Sequence, residues 1–513
     1  MSDENESKKH DEIPEKTSRK RRLRSVLIAA IVIGLVAAAM FGLQFSTRSL
    51  IAYDGYFHVK FSYLMGHGQG FIRNLPWLQF TVHRDFFRDH HMLFHVLYIP
   101  FTYGDLRVGG KIAAALFATM AMSAFYLVGA RRDKAAAAIA TLALLGAGNI
   151  FLTRMSMPRV PSLNMLFILL ATHAIVTRRA RWFGIVMLLF VWLYDGFAVV
   201  IPIMLAFVVA DWLVARRFDW RIPAWGLGGV ATGIVVNPYF PANISSYWFN
   251  LWRASGSAQL IERTGREWLP LTSWELLTQA WVIWVALAVA VLLAILRRKP
   301  TREGVALFLI TVFATFLAFK AKRYLDTWPP IVMLFLVYSW ADYWDERAVS
   351  EARLSPWPRR IATAALALLA LYAPFAVDRQ IDKFKNEREY EYFKGAAEYI
   401  AEKTADRPGT LVFNTDWDDF PFLFHFNSHN YYIVGMDQLY MIHYDKELFD
   451  LWRGICEGTV NNPAKEIAEK FGAAYAVADK QQRRGFVMRA MVERDLKKVY
   501  EDDNVVVYRV ISP

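Results

Sequence analysis

Along most of this chain apolar residues do not alternate with polar ones. They gather into runs near 25–45, 108–130, 134–152, 160–177, 182–195, 197–214, 222–237, 274–296, 303–319, 325–343 and 359–377. Uninterrupted apolar stretches of about 17–25 residues predict helices that cross a bilayer. Residues 25–377 therefore read as a polytopic α-helical membrane domain of about eleven spans. The stretch 182–214 reads either as one kinked helix or as two short spans. Met92 to Tyr103 is apolar but short, which suits a re-entrant or surface-lying helix. Two long polar segments, 46–107 and 238–273, interrupt the runs. After residue 377 the pattern changes. TLVFNTD (410–416), YYIVGM (431–436), AAYAVADK (473–480) and NVVVYRV (504–510) predict strands, and 396–403, 445–455 and 463–472 predict helices. Residues 378–513 thus read as a small α/β domain.

Composition supports this division. Hydrophobic residues make up 55%, aromatics 15% and charged residues only 21%, a balance too apolar for an ordinary soluble protein of this length. The net charge of +12 is spread over short clusters beside the apolar runs, as topology determinants are, and no nucleic-acid partner is read from it. Residues 1–24 form a charged tail ending RKRRLR, read as cytoplasmic. That orientation puts ARRDK (130–134), TRRARW (177–182), ARRFDWR (215–221), RRKPTRE (297–303) and PWPRR (356–360) on the same side. It places 46–107, 238–273 and the C-terminal domain outside a plasma (inner) membrane. KAKRY (320–324) is then a basic segment on the disfavoured side. The one cysteine, Cys456, excludes an internal disulfide and a cysteine metal cluster. The C-terminal domain has no GxGxxG loop, so no nucleotide site is assigned to it.

Candidate chemistry concentrates in the first polar segment. Six of the chain's 11 histidines lie between His58 and His95, with Asp54, Asp85 and Asp89. Asp54, in YDGYFHVK, can take a proton from an acceptor or hold a hard cation beside phosphate oxygens. His58, four residues on, shares its face if the stretch is helical. The same residues also suit an interfacial polar cap with Tyr53, Tyr56 and Phe57. Asp89, His90, His91 and His95 have spacings found in metal sites and equally on a polar helix face, and the HExxH zinc motif is absent. Arg154 and Arg159, in TRMSMPRVP, and Lys320, Lys322 and Arg323 suit phosphate. Glu262 and Glu267 lie in the second long segment. Asp416, Trp417, Asp418 and Asp419 follow a predicted strand, where they suit a hydroxylated acceptor, calcium or a plain turn. Only Asp195 and His173 are candidates for a mid-span role.

With a first span, a long segment opening D-G-Y-F-H-V-K, many spans, a second long segment and a terminal α/β domain, the chain resembles the GT-C superfamily of membrane glycosyltransferases. It is most similar to the catalytic subunit of oligosaccharyltransferases. Asp54 through Lys60 stands where that family has D-x-Y-Y-H-x-R, and Asp416-Trp417-Asp418-Asp419-Phe420 where it has W-W-D-Y-G. Glu267, and less closely Glu262, stands for its late-loop glutamate, and Arg323 for its arginine against the carrier phosphate. The resemblance implies a polyprenyl-phosphate or -diphosphate sugar donor, membrane lipids around the fold, and a protein, lipid or glycan acceptor. It implies Asp54, Asp89 and Glu267 as catalytic groups, with Arg154, Arg159, Arg323, His58, Trp417 and Asp418 binding substrate. A divalent cation (Mg or Mn) would sit on Asp54, Asp89 and His90. The chain departs from the family after the third span, where Arg154 and Arg159 replace the second acidic motif. It departs again in the acceptor motif, which implies a different acceptor. The alternatives are a non-catalytic scaffold of the same fold and a lipid or solute transporter.

Overall fold

The computed structural model describes residues 4–248, 265–297, 299–349 and 357–511. Each apolar run read from the sequence lies on helix. The first is the latter part of one helix, Glu4–Phe45. The stretch 182–214 is two helices, Ala180–Leu193 and Phe197–Ala215, interrupted at Tyr194-Asp195-Gly196. Two other runs bend sharply: Lys134–Leu144 into Asn149–Ser156 by 90°, and Ser273–Gln279 into Trp281–Leu296 by 84°. The length criterion therefore yields fewer crossings than there are runs. Among the described residues 5 helices are long and apolar enough to cross a bilayer, or 7 if each bent pair is one span. Pro161–Val176 and Ala180–Leu193 are apolar but shorter. Met92–Tyr98 is a short helix, continued by a 3-10 turn over Ile99–Thr102.

Small residues set the helix spacing where it is tightest. Gly226, Gly229 and Gly233 on Arg221–Val235 face Phe183, Gly184 and Leu188 on Ala180–Leu193, and a Cβ at any of them would collide. Such glycine seams let membrane helices approach closely without a hydrophobic driving force. The basic loops are tied to buried acids. Arg302 lies 2.9 Å from Asp211, which Arg178 also contacts, and Arg297 lies 2.6 Å from Asp342.

The C-terminal region carries five strands: β1 (Leu411–Asn414), β2 (Tyr431–Tyr432), β3 (Tyr475–Asp479), β4 (Leu496–Glu501) and β5 (Val505–Val510). Their order is β2-β1-β3-β5-β4, parallel across β2-β1-β3 and antiparallel across β3-β5-β4. The period-2 alternation of a strand divides its side chains between two cores. Val412, Val477, Val505 and Val507 join the core that continues into the helical domain, while Phe413, Ala476, Val506 and Tyr508 pack with Trp452 and Phe486 on the other face. Four expected strands and three expected helices are present, although YYIVGM yields only the two-residue β2. Sequence reading passes over β4 because LKKVYE is an edge strand with mostly uncovered side chains, the charged pattern that protects sheet edges. It also passes over the helix Phe420–Phe426, whose FPFLFHF is apolar except for His425 and shows no period.

That aperiodic helix and β2 join the two regions. Phe420–Phe426 packs on the helix Asp54–Leu64, with Tyr56 and Phe422 ring centroids 4.2 Å apart and those of Phe57 and Phe424 5.6 Å apart. Residues 77–80 pair along the outer edge of β2: Tyr432 donates to the Trp77 carbonyl at 2.8 Å, and Gln79 to the Tyr432 carbonyl at 3.0 Å. The Trp77 indole donates to the Ser428 carbonyl at 2.7 Å. The first long segment is thereby built into the sheet. Gln79→Pro removes one of these donors, and we expect it to cost about 1–3 kcal/mol. The expected readout is a lower melting temperature and faster proteolysis of segment 70–90 in detergent, and unchanged values would show that the edge pairing contributes nothing.

Candidate functional site

A cavity of about 1570 Å³ lies between the helical domain and the sheet domain. One part of its wall is apolar, with Phe197, Ile201, Pro202, Phe313 and Leu317, and another carries Asp54, Arg159, Arg323 and Glu267. Asp54 is the first residue of the helix Asp54–Leu64, reached through Ala52 in the left-handed region (φ 67°), a strained conformation for a residue with a Cβ. Gly55 follows because the loop at Pro158 presses against it: a Cβ there would overlap the proline ring. The close approach delivers the neighbouring Arg159, whose guanidinium lies 2.9 Å from the Asp54 carboxylate.

Around this pair the other charges interlock. Arg159 lies 3.7 Å from Glu267 and Arg154 3.2 Å from the same Glu267 oxygen. Arg154 also holds the buried Asp326 at 2.9 Å. Arg323 stacks on Trp268 at 3.8 Å and donates to the Tyr194 hydroxyl. Burial alone would raise Glu267, but Arg159, Arg323 and Arg154 outweigh it and hold its carboxyl well below the usual carboxylate range. Asp54 is moved the other way. Burial raises its pKa, Arg159 opposes, and the negative charges of Glu267 and Asp437 raise it further. The site therefore pairs an anchored anion, Glu267, with a carboxylate of increased basicity, the arrangement that suits Asp54 to accept a proton.

The structure does not bring Asp54, Asp89 and His90 together as a ligand set. Among the described residues no three His, Cys, Asp or Glu side chains are arranged to hold a metal ion. Asp54 faces a guanidinium. The Asp89 oxygens are taken by His95 Nδ1 at 2.7 Å and the His91 backbone N–H at 2.9 Å, the latter at the start of helix Met92–Tyr98. The His90 ring is tilted against that of His91, with centroids 3.9 Å apart. With both carboxylates so engaged, the set does not fit a divalent cation, which needs several free oxygens at once. Glu262 lies outside the described residues.

The sheet domain adds the turn after β1. Asp416 caps it by accepting from the Asp418 N–H at 3.1 Å and pairs with Arg483. Trp417 and Asp418 line the cavity. Asp419 instead is fully buried, near Arg388 at 3.5 Å, and burial followed by the Asp416 charge pushes its pKa up. Asp195 lines the cavity while His173 does not. Sequence reading overlooked Tyr194, Asp326 and Arg483. Tyr194 adjoins Asp195 and Asp326 lies three residues past Arg323, both residues it had singled out, but Arg483 becomes relevant only through the folded sheet.

No protein-family model and no curated protein matches the chain. Solved structures do. The oligosaccharyltransferase of Archaeoglobus fulgidus, in complex with Zn and sulfate, superposes with a TM-score of 0.61 and 14% identity over 94% of this chain and 74% of its own. ArnT from Cupriavidus metallidurans, bound to undecaprenyl phosphate, gives 0.57 and 15% over 93% and 97%. The mycobacterial arabinofuranosyltransferase AftD gives 0.56 and 15%, with 94% of this chain covering 42% of that one. At such identities the likeness is one of fold alone, and the chain has the GT-C fold, apolar helices with a C-terminal sheet domain.

Proposed function

We propose that the chain is a membrane glycosyltransferase that moves a sugar from a polyprenyl-phosphate or -diphosphate carrier to an extracytoplasmic acceptor. The observation that carries this reading is the two-sided cavity, where a hydrocarbon-lined wall meets Arg159 and Arg323. An apolar chain with an anionic head matches both halves, and a structural neighbour is described as bound to undecaprenyl phosphate. In this reading the N-terminus is cytoplasmic and the chain crosses a plasma (inner) membrane about eleven times. Its parts are a 1–24 tail, a 25–377 membrane domain and an outer domain from 378.

The reaction forms a bond from an acceptor oxygen to the anomeric carbon and breaks the bond from that carbon to the carrier phosphate oxygen. Asp54 takes the acceptor's proton. Arg159 and Arg323 stabilise the charge that grows on the leaving phosphate, worth most in a site closed to water. Arg154 holds Glu267, and Glu267 in turn orients Arg159. Trp417 and Asp418 contact the acceptor. No step is assigned to a metal ion, because the two carboxylates that would hold one are engaged with Arg159, His95 and the His91 amide.

We expect Asp54→Asn to lower transfer by at least about 100-fold in membranes supplied with lipid-linked sugar, and full activity in that variant would sink the reading. Asp54 must be ionised to act, and burial raises its pKa above the ordinary aspartate value. Activity should therefore fail as pH drops through a value above the ordinary aspartate range, and an acid limb at or below that range would argue against Asp54 as the base. Arg323→Gln should raise the KM for the lipid donor by about tenfold or more, with the protein still folded by circular dichroism. Transfer should persist in excess EDTA. Loss on chelation that Mg²⁺ or Mn²⁺ restores would instead reveal a bound ion.

A further inference from the structure

A hydrogen-bonded chain that the transfer chemistry above does not use leads to the cavity wall. Asp89 Oδ2 lies 2.7 Å from His95 Nδ1, and His95 Nε2 lies 2.8 Å from His58 Nδ1. All three residues are buried and all line the cavity. His58 sits one helical turn after Asp54, on the same face.

The direction of each bond follows from the groups involved. A carboxylate only accepts, so His95 Nδ1 carries a hydrogen. With the His95 ring neutral, its Nε2 is bare, so His58 Nδ1 donates to it and His58 Nε2 is left as an acceptor. Burial, with the Arg159 charge adding to it, pushes the His58 pKa well below its ordinary value, so this ring stays neutral. Phe57 and Phe94, with centroids 5.5 and 5.4 Å away, hold it edge-on. The Asp89 end is fixed too, because its other oxygen accepts the His91 N–H.

An acceptor nitrogen is unusual beside so many arginines. Phosphate oxygens are acceptors themselves and find their donors at Arg159 and Arg323. What complements a bare ring nitrogen is an O–H, and of the two ends of a lipid-linked sugar only the sugar supplies one. We propose that Asp89 and His95 are positioning residues that fix His58 as a hydrogen-bond acceptor for a hydroxyl of the transferred sugar. The proposal rests on the glycosyltransferase reading and names a specificity contact within it.

Asp89→Asn tests it with a determined sign. The His91 N–H requires an oxygen, so the asparagine must turn its NH₂ toward His95 Nδ1. His95 then donates from Nε2, and His58 becomes protonated on Nε2 instead of Nδ1. In full-length protein labelled with ¹⁵N-histidine, in nanodiscs at pH 8, wild type should show His58 with a bare Nε2 and Asp89→Asn should exchange the two nitrogens. His58→Gln assigns the signals. Should that variant not fold, the ¹⁵N–¹⁵N coupling across the His58–His95 bond assigns them without substitution. Adding polyprenyl-phosphate hexoses or pentoses should shift the Nε2 signal, whereas polyprenyl phosphate alone should not. Asp89→Asn should raise the KM for the sugar-bearing donor about tenfold and leave polyprenyl phosphate affinity unchanged. A wild-type His58 protonated on Nε2, or a signal that none of the sugar-bearing lipids moves, overturns the proposal. Failure of the transferase reading looks different, because the bare nitrogen would respond to a sugar-bearing lipid in a protein that transfers nothing.

Discussion

Charge beside hydrocarbon is tolerated only when it is paired, and the cavity of this protein is organised around that requirement. Arg154, Arg159 and Arg323 meet Asp54, Glu267, Asp326 and the Tyr194 hydroxyl where the apolar wall begins. Each contact spans distant parts of the chain. Asp54 opens the first long segment, Arg159 follows the bent third run, and Glu267 belongs to the second long segment. The interlocked charges therefore hold three connections in one place, which neither the apolar helices nor their non-directional packing would do alone.

The same constraint divides the labour within the cluster. Asp326 and Arg154 are deeply buried and engaged with each other, so their role is to brace. Arg159, Arg323 and Asp54 keep part of their surface toward the cavity. Removing a brace leaves an uncompensated buried charge, whereas an exposed partner can exchange its protein contact for a substrate. The sheet domain completes the enclosure. Its β2 edge takes residues 77–80, its Phe420–Phe426 helix rests on the Asp54 helix, and the turn after β1 puts Trp417 and Asp418 into the cavity wall.

Particular residues show how far the sequence could be read. The D-G pair at 54–55 was recognisable as a motif, and the structure supplies its reason in the approach of Pro158. The expected metal ligands Asp89 and His90 had acceptable spacing, but spacing does not record that the Asp89 oxygens are already engaged by His95 and the His91 amide. Arg154 and Arg159 were legible as cations suited to phosphate, without their separate tasks.

What the sequence determined by itself is the part of the fold written in local pattern: apolar helices, a change of pattern near residue 378, and short apolar strands after it. These follow from chain geometry and the cost of exposing apolar surface, both properties of short windows. Only the tertiary structure decided which runs bend, that residues 77–80 extend the sheet, and that Asp54 meets an arginine more than 100 positions away. The energy of a buried charge depends on every group within a few ångströms, and those groups come from separate segments that no window contains.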